Sequence, residues 1–214
     1  SEPSQAGVAL PESGRHILAG QPTRTDTTMG YIFDPEKLHS LSKRVIGMPR
    51  EQMFSQLISD VAEAYPGYIE TKQKWIFNLT GGACGSMTIL HASLSEYLII
   101  FGTPIGTEGY SGTYRLDIYD FMIDGEMWVY IGDNPAERTV FKPGEAAYLA
   151  PGQAKAYRCP DYGWMLEYGR GFVPSCLPTG LGGGLFVGID PGIVWDTVKT
   201  YGAATIRSLL KGKF

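Results

Sequence analysis

Three carboxylates lie within runs of apolar residues, where an isolated charge is disfavoured unless it is paired or has chemistry to perform. Asp117 and Asp120 fall in Tyr114-Arg115-Leu116-Asp117-Ile118-Tyr119-Asp120, and Glu167 falls in Trp164-Met165-Leu166-Glu167-Tyr168-Gly169-Arg170. Two carboxyls close together in an apolar chamber share one proton, because like charges raise one pKa and keep the other low. Such a couple can act as acid and base, or hold a cation. The competing reading for each acid is a carboxylate paired with Arg115, Arg170 or a backbone donor at a strand end. Residues 117 and 120 are an odd number apart, so in a regular strand they face opposite ways. At most one of them shares a cavity with Glu167. Glu96 is a fourth acid, in His91-Ala92-Ser93-Leu94-Ser95-Glu96-Tyr97, whose serines offer local hydrogen bonds. A structural role is expected for it.

Other chemistries find little support. There is no nucleophile elbow, phosphate loop or dinucleotide fingerprint, and the glycines at 182–184 lack the Lys and Ser/Thr of a phosphate cradle. The histidines, His16, His39 and His91, are far apart and show no metal-ligand spacing, so no metal or other cofactor is expected. Cys84, Cys159 and Cys176 are odd in number with no CxxC pair, and read as buried free thiols. A net charge of −4 argues against a nucleic-acid partner, which would need a basic face.

The elements that must position the acids follow from periodicity and turn residues. Residues 1–30, rich in Ser, Gly, Pro and Thr, read as a flexible arm or linker, and residues 31–214 as a single domain. Asp34 is a good N-cap with Pro35 at the first helical position, and Leu38, Leu41 and Val45 form an apolar stripe that ends at Gly47. A second helix follows Pro49, with Met53, Leu57, Ile58 and Val61 on one face, and Pro66-Gly67 stops it. Strands are predicted over 86–91, 96–102, 113–123, 126–131, 139–141, 146–149, 155–158 and 164–168. Asp124-Gly125, Pro143-Gly144 and Pro151-Gly152 turn the chain between them. About eight strands at this spacing indicate a sandwich or barrel. Residues 97–101, and most of 118–123, are apolar on both faces. One face would line a pocket and the other would meet helices or another subunit. A last helix starts at Asp190-Pro191 and carries Ile193, Val194, Trp195, Val198, Tyr201, Ile206, Leu209 and Leu210, with Lys199, Arg207, Lys211 and Lys213 toward its end. That pattern suits a membrane interface or packing on the barrel. No uninterrupted apolar run is long enough to span a bilayer. The sequence starts at Ser1, and a membrane anchor is expected to be absent from it.

Three stretches carry a family resemblance: Leu90-His91-Ala92-Ser93-Leu94-Ser95-Glu96-Tyr97-Leu98-Ile99-Ile100-Phe101-Gly102-Thr103, Glu167-Tyr168-Gly169-Arg170-Gly171 with Pro174, and Phe33-Asp34-Pro35-Glu36-Lys37-Leu38. They resemble the C-8 sterol isomerases and the sigma non-opioid receptor, over nearly the whole of 31–214. The resemblance implies an α+β fold, a cupin-like β-barrel of jelly-roll type with N-terminal helices and C-terminal amphipathic membrane-adjacent helices. It also implies a homotrimer at the endoplasmic reticulum membrane and an occluded apolar pocket.

By the same resemblance Glu167 and Asp120 are the acidic pair, Glu167 being the group that meets a ligand's cationic nitrogen. Tyr97, Phe101, Met87, Tyr114, Asp117, Leu177 and Tyr201 match pocket-lining positions. The expected activity moves a sterol double bond from C8 to C7, by protonation at C9 and loss of a proton at C7 through a carbocation. The alternative is a binder of cationic amphiphilic amines and sterols without turnover.

Overall fold

The computed structural model describes residues 30–213, so the expected arm at 1–30 lies outside the described residues apart from Gly30. Helix α1 (Pro35–Lys43) begins where its cap dictates: the Asp34 side chain accepts from the Lys37 amide. Helix α2 (Arg50–Ala64) follows Pro49 and ends before Pro66-Gly67.

Ten strands then build two antiparallel sheets. They are β1 (Trp75–Thr80), β2 (Ala83–Ala92), β3 (Glu96–Thr103), β4 (Thr107–Tyr110), β5 (Leu116–Gly125), β6 (Met127–Tyr130), β7 (Thr139–Phe141), β8 (Ala146–Leu149), β9 (Ala156–Cys159) and β10 (Gly163–Gly171). The larger sheet runs β1-β2-β3-β10-β5-β8 and the smaller β4-β9-β6-β7. The result is the expected α+β, cupin-like barrel. Gly125, Gly144 and Gly152 turn the chain with φ of +72°, +92° and +81°, a region that favours glycine in the second turn position.

The two-sided apolar strands are explained by what covers each face. Leu38, Leu41, Met53, Leu57 and Val61 of the two helices, with Val45 of the turn between them, pack on Leu98, Ile100, Phe121, Ile123, Leu166 and Tyr168 of the large sheet. Each fully buried aliphatic side chain of this kind contributes roughly 1.5–3 kcal/mol. The alternate residues of the same strands point between the sheets, where Met87, Phe101, Met122, Met127 and Met165 meet. Helices, within the one chain, cover the outer face.

Two strands escaped the sequence reading. Strand β1 pairs with β2 from Trp75↔Thr88 to Thr80↔Ala83, and β4 pairs with β9 from Thr107↔Cys159 to Tyr110↔Ala156. The Thr-Glu-Gly-Tyr of β4 has weak strand propensity, and its pairing partner lies about 50 residues on in the chain.

After β10 a single 3₁₀ turn (Val173–Cys176) leads into helix α3 (Leu177–Gly182), which continues as a π-helical turn over Gly183–Val187. Gly183 is needed there, because a Cβ at that position would lie 1.8 Å from the Leu79 carbonyl oxygen of β1. Helix α4 (Pro191–Leu210) starts as expected, with Asp190 accepting from the amides of Gly192 and Ile193. It docks on β2 through Ser208 Oγ donating to the Ala92 carbonyl at 2.7 Å. Among the described residues no helix is long and apolar enough to cross a membrane.

Candidate active site

Strand β10 is central in the large sheet, and its neighbours β3 and β5 bring their inward side chains to Glu167. Glu167 is the register partner of Asp120 on β5 and of Ile99 on β3. Directly opposed residues of an antiparallel pair project from the same face, so the two carboxyls share one side of the sheet. Both line a single cavity between the sheets.

Tyr97 reaches the same carboxyl diagonally. It lies opposite Gly169 and donates its hydroxyl to Glu167 Oε1 at 2.6 Å. The absence of a side chain at Gly169 makes this possible, since a Cβ there would sit 2.2 Å from the Tyr97 ring. Glu167 Oε2 makes no hydrogen bond among the described residues. Burial, then the Asp120 charge, push the Glu167 carboxyl up to about 7, against smaller downward pulls from the Tyr97 hydrogen bond and Lys155.

Asp120 has a different partner. The Lys155 ammonium, just ahead of β9, forms an ion pair with Asp120 Oδ2, and the two side chains are only 7% and 4% exposed. The pair joins the two sheets across the cavity wall. Lys155 was not singled out from the sequence. Its signal was the alternation in Lys155-Ala156-Tyr157-Arg158-Cys159: Lys155 and Tyr157 line the cavity and Cys159 is buried, while Arg158 faces out.

Counting the open space at its mouth, the cavity comes to about 1060 Å³. Tyr97, Phe101, Met87, Tyr114, Leu177 and Tyr201, all expected at the pocket, line it. Asp117 does not. It sits on the opposite face, accepting from the Tyr148 hydroxyl at 2.6 Å and lying 3.6 Å from Arg170 Nε. Strand parity had allowed only one of Asp117 and Asp120 into the cavity, and the structure shows that Asp117 is the one outside it.

Sequence reading also passed over Ile99, Ile118, Met165 and Tyr157, whose inward orientation depends on register. Helices α3 and α4 close one side through Leu177, Leu181, Thr197 and Tyr201.

Glu96 is structural. Fully buried, it accepts from the Ile32 and Phe33 amides and from the Tyr168 hydroxyl, and it pairs with the Lys213 ammonium at 2.8 Å. The thiols differ from expectation in one case: Cys159 is buried and Cys176 half-buried at the cavity, but Cys84 is exposed. It lies next to the tight β1–β2 turn, whose outward positions face solvent. Among the described residues no group of three or more His, Cys, Asp or Glu is placed to hold a metal ion.

An apolar chamber between two sheets, with one acid near neutral pKa and a second held by a lysine, defines a small-molecule-handling barrel protein. The chain belongs to the family described as ERG2 and Sigma1 receptor like protein, whose model matches residues 17–213. It is 38% identical over 186 residues to a C-8 sterol isomerase of Gibberella zeae, covering 86% of this chain and 79% of that one. A Dictyostelium discoideum protein named as an erg2 homolog is 41% identical over 179 residues, with 83% and 76% covered. The sigma non-opioid intracellular receptor 1 of Xenopus tropicalis is 36% identical over 180 residues, with 82% and 80% covered. Solved structures with a partial likeness include an RmlC-like cupin from Shewanella frigidimarina, at 17% identity and a TM-score of 0.39 over 46% of this chain and 84% of that one.

Proposed function

We propose that this chain is a C-8 sterol isomerase that moves the ring double bond from C8 to C7 within the cavity. The observation that carries the reading is Glu167: a carboxyl with a pKa of about 7, one oxygen fixed by Tyr97, facing an apolar chamber beside Asp120. An acid near neutrality is suited both to give a proton and to take one, a contribution typically of about 10²–10⁴-fold in rate. Protonation at C9 leaves a cation at C8, and loss of the C7 proton forms the new double bond. Carboxylates in a water-poor site stabilise that cation more strongly than they would in water. Relatives named C-8 sterol isomerase, at 37–39% identity over most of their length, support the same reading.

A second reading, an amine and sterol binder without turnover, is favoured by the same carboxyl in its ionised form and by the Xenopus relative. A tertiary ammonium would occupy the place of the carbocation. Complementation of a sterol-isomerase-deficient yeast, with sterol profiling of purified protein given a C8-unsaturated sterol, separates the two. Conversion that is lost in Glu167→Gln supports the enzyme. Tight amine binding lost in that variant, with no conversion by the wild type, supports the binder.

The same reading includes residence at the endoplasmic reticulum membrane and a homotrimer. Phe186, Val187, Ile189, Trp195, Ile206 and Leu210 are all exposed on the α3–α4 side, an apolar face that suits a bilayer surface. The basic residues at and just beyond the end of α4 contribute less than their number suggests. Arg207 pairs with Glu70, Lys211 donates to the Gly67 carbonyl, and Lys213 pairs with Glu96. Flotation with neutral vesicles tests the apolar contribution, and light scattering of detergent-purified protein tests the trimer.

A further inference from the structure

We propose that Glu167 alone both delivers the proton to C9 and takes the proton from C7, and that Lys155 imposes this by holding the Asp120 carboxylate in a buried ion pair. The inference rests on the isomerase reading and assigns the two roles within it.

Among the described residues Lys155 is the one cation placed on the couple, and it touches Asp120 rather than Glu167. Protonating Asp120 during turnover would strand a buried ammonium without its counter-ion, the most costly state of such a pair. Glu167 carries no such commitment. Its Oε1 accepts from Tyr97, and its other oxygen is left for the substrate.

The charges around Glu167 agree with this division. The groups that face it are Tyr97 on β3, Tyr114, Asp120 on β5, Lys155, Tyr157 on β9 and Cys176 after β10. Burial pushes the tyrosines and the thiol upward, Tyr114 and Cys176 to about 12, so they stay neutral. The Asp120 charge raises Glu167 by more than the Lys155 charge lowers it, so the transferable proton stays on Glu167.

The step balances without a second base. The Glu167 O–H bond breaks as the C8=C9 electron pair binds that proton at C9, leaving the cation at C8. The C7–H electron pair then forms C7=C8, and the released proton bonds to the Glu167 carboxylate. C7 and C9 are both attached to C8, so one carboxyl on one face of the ring reaches each in turn. The protein ends in the protonation state in which it began.

The test compares wild type, Glu167→Gln, Lys155→Met, Lys155→Arg and the double variant Asp120→Asn with Lys155→Met. Each is assayed for conversion of a C8-unsaturated sterol against pH; calorimetric binding of a cationic amphiphilic amine checks the pocket of the Lys155 and double variants, and binding of the neutral sterol checks that of Glu167→Gln. The double variant removes both charges together, and is expected to keep turnover within about 100-fold of wild type, whereas Glu167→Gln loses about 10³-fold or more. Lys155→Met alone strips the counter-charge, so the alkaline limb of the rate profile moves up by about one pH unit, and Lys155→Arg restores it.

A double variant that binds the amine yet is as inactive as Glu167→Gln makes Asp120 an obligatory base and overturns the proposal. So does a Lys155→Met protein whose yield falls while its alkaline limb stays in place. If the double variant does not fold, infrared spectra of the wild type decide. A single carboxylic C=O band that vanishes near pH 7, and is absent from Glu167→Gln, supports the assignment; a cavity carboxylic band that persists in Glu167→Gln overturns it. Failure of the wild type to convert sterol, with amine binding intact, removes the isomerase reading itself.

Discussion

Asp117 and Asp120 stand three residues apart on β5 and serve opposite faces of the sheet: Asp120 enters the cavity and pairs with Lys155, while Asp117 turns outward to Tyr148 and Arg170. Substitution at the two positions therefore has different consequences. Asp117→Asn keeps the shape and an acceptor but loses the charge beside Arg170. It is expected to cost about 1–2 kcal/mol of stability in denaturant unfolding and to leave sterol conversion within about twofold of wild type. A loss of conversion comparable to that of Glu167→Gln would place Asp117 in the site after all.

The pH dependence has opposite signs for the two candidate activities. Proton donation needs the acid form of Glu167, so conversion falls as pH rises through about 7. Binding of a cationic amine needs the carboxylate, so affinity rises over the same interval. Parallel rate and calorimetric profiles check both, and like-signed profiles would remove Glu167 from one of the roles.

The same carboxyl links pH to folding. Its pKa is higher in the fold than the ordinary 4.5, so the native state binds the extra proton between about 4.5 and 7. The stability it contributes is full below the ordinary value and is lost as pH rises to about 7, amounting to about 3 kcal/mol. Glu167→Gln abolishes that dependence, and is expected to melt above the wild type at pH 8 while being inactive. A melting temperature below wild type at pH 8 would contradict the burial argument.

Tyr97 orients the acid, and Gly169 makes room for Tyr97. Tyr97→Phe removes the hydrogen bond to Glu167 Oε1, a bond that favours the ionised form. The alkaline limb should move upward and kcat should fall by about tenfold, the order of one hydrogen bond to a charged group. Gly169→Ala displaces the ring and should reproduce the effect while costing additional stability. A Gly169→Ala enzyme with wild-type kinetics would show that the ring contact is not what places the hydroxyl.

Glu96 ties both ends of the described chain to the sheet, through the Ile32 and Phe33 amides and the Lys213 ammonium. Glu96→Ala leaves several buried donors without an acceptor, and is expected to cost about 3–5 kcal/mol, read from the urea midpoint. Residual folded protein should retain the pH profile of the wild type, because Glu96 lies on the face away from the cavity.

Local chemistry was enough to determine much of this protein. Asp34 and Asp190 as caps, the α1 and α2 stripes, the glycine turns at 125, 144 and 152, and the double-sided burial of residues 97–101 all follow from short-range pattern. Strand parity even separated Asp117 from Asp120. The candidate acids were visible too, because charge in an apolar run is conspicuous, but which of them share the cavity was not.

What the sequence alone could not determine depends on contacts between distant strands. The facing of Glu167 and Asp120 is set by antiparallel register, reached through an irregularity between Trp164 and Met165 that no local pattern announces. Strand β4 exists only because β9 supplies its hydrogen bonds. Lys155 and Asp120 are 35 residues apart and meet only when the two sheets close on each other. Periodicity reports which side of a strand is apolar; which residue stands opposite is decided by hydrogen-bond register and sheet packing, and both are properties of the folded chain.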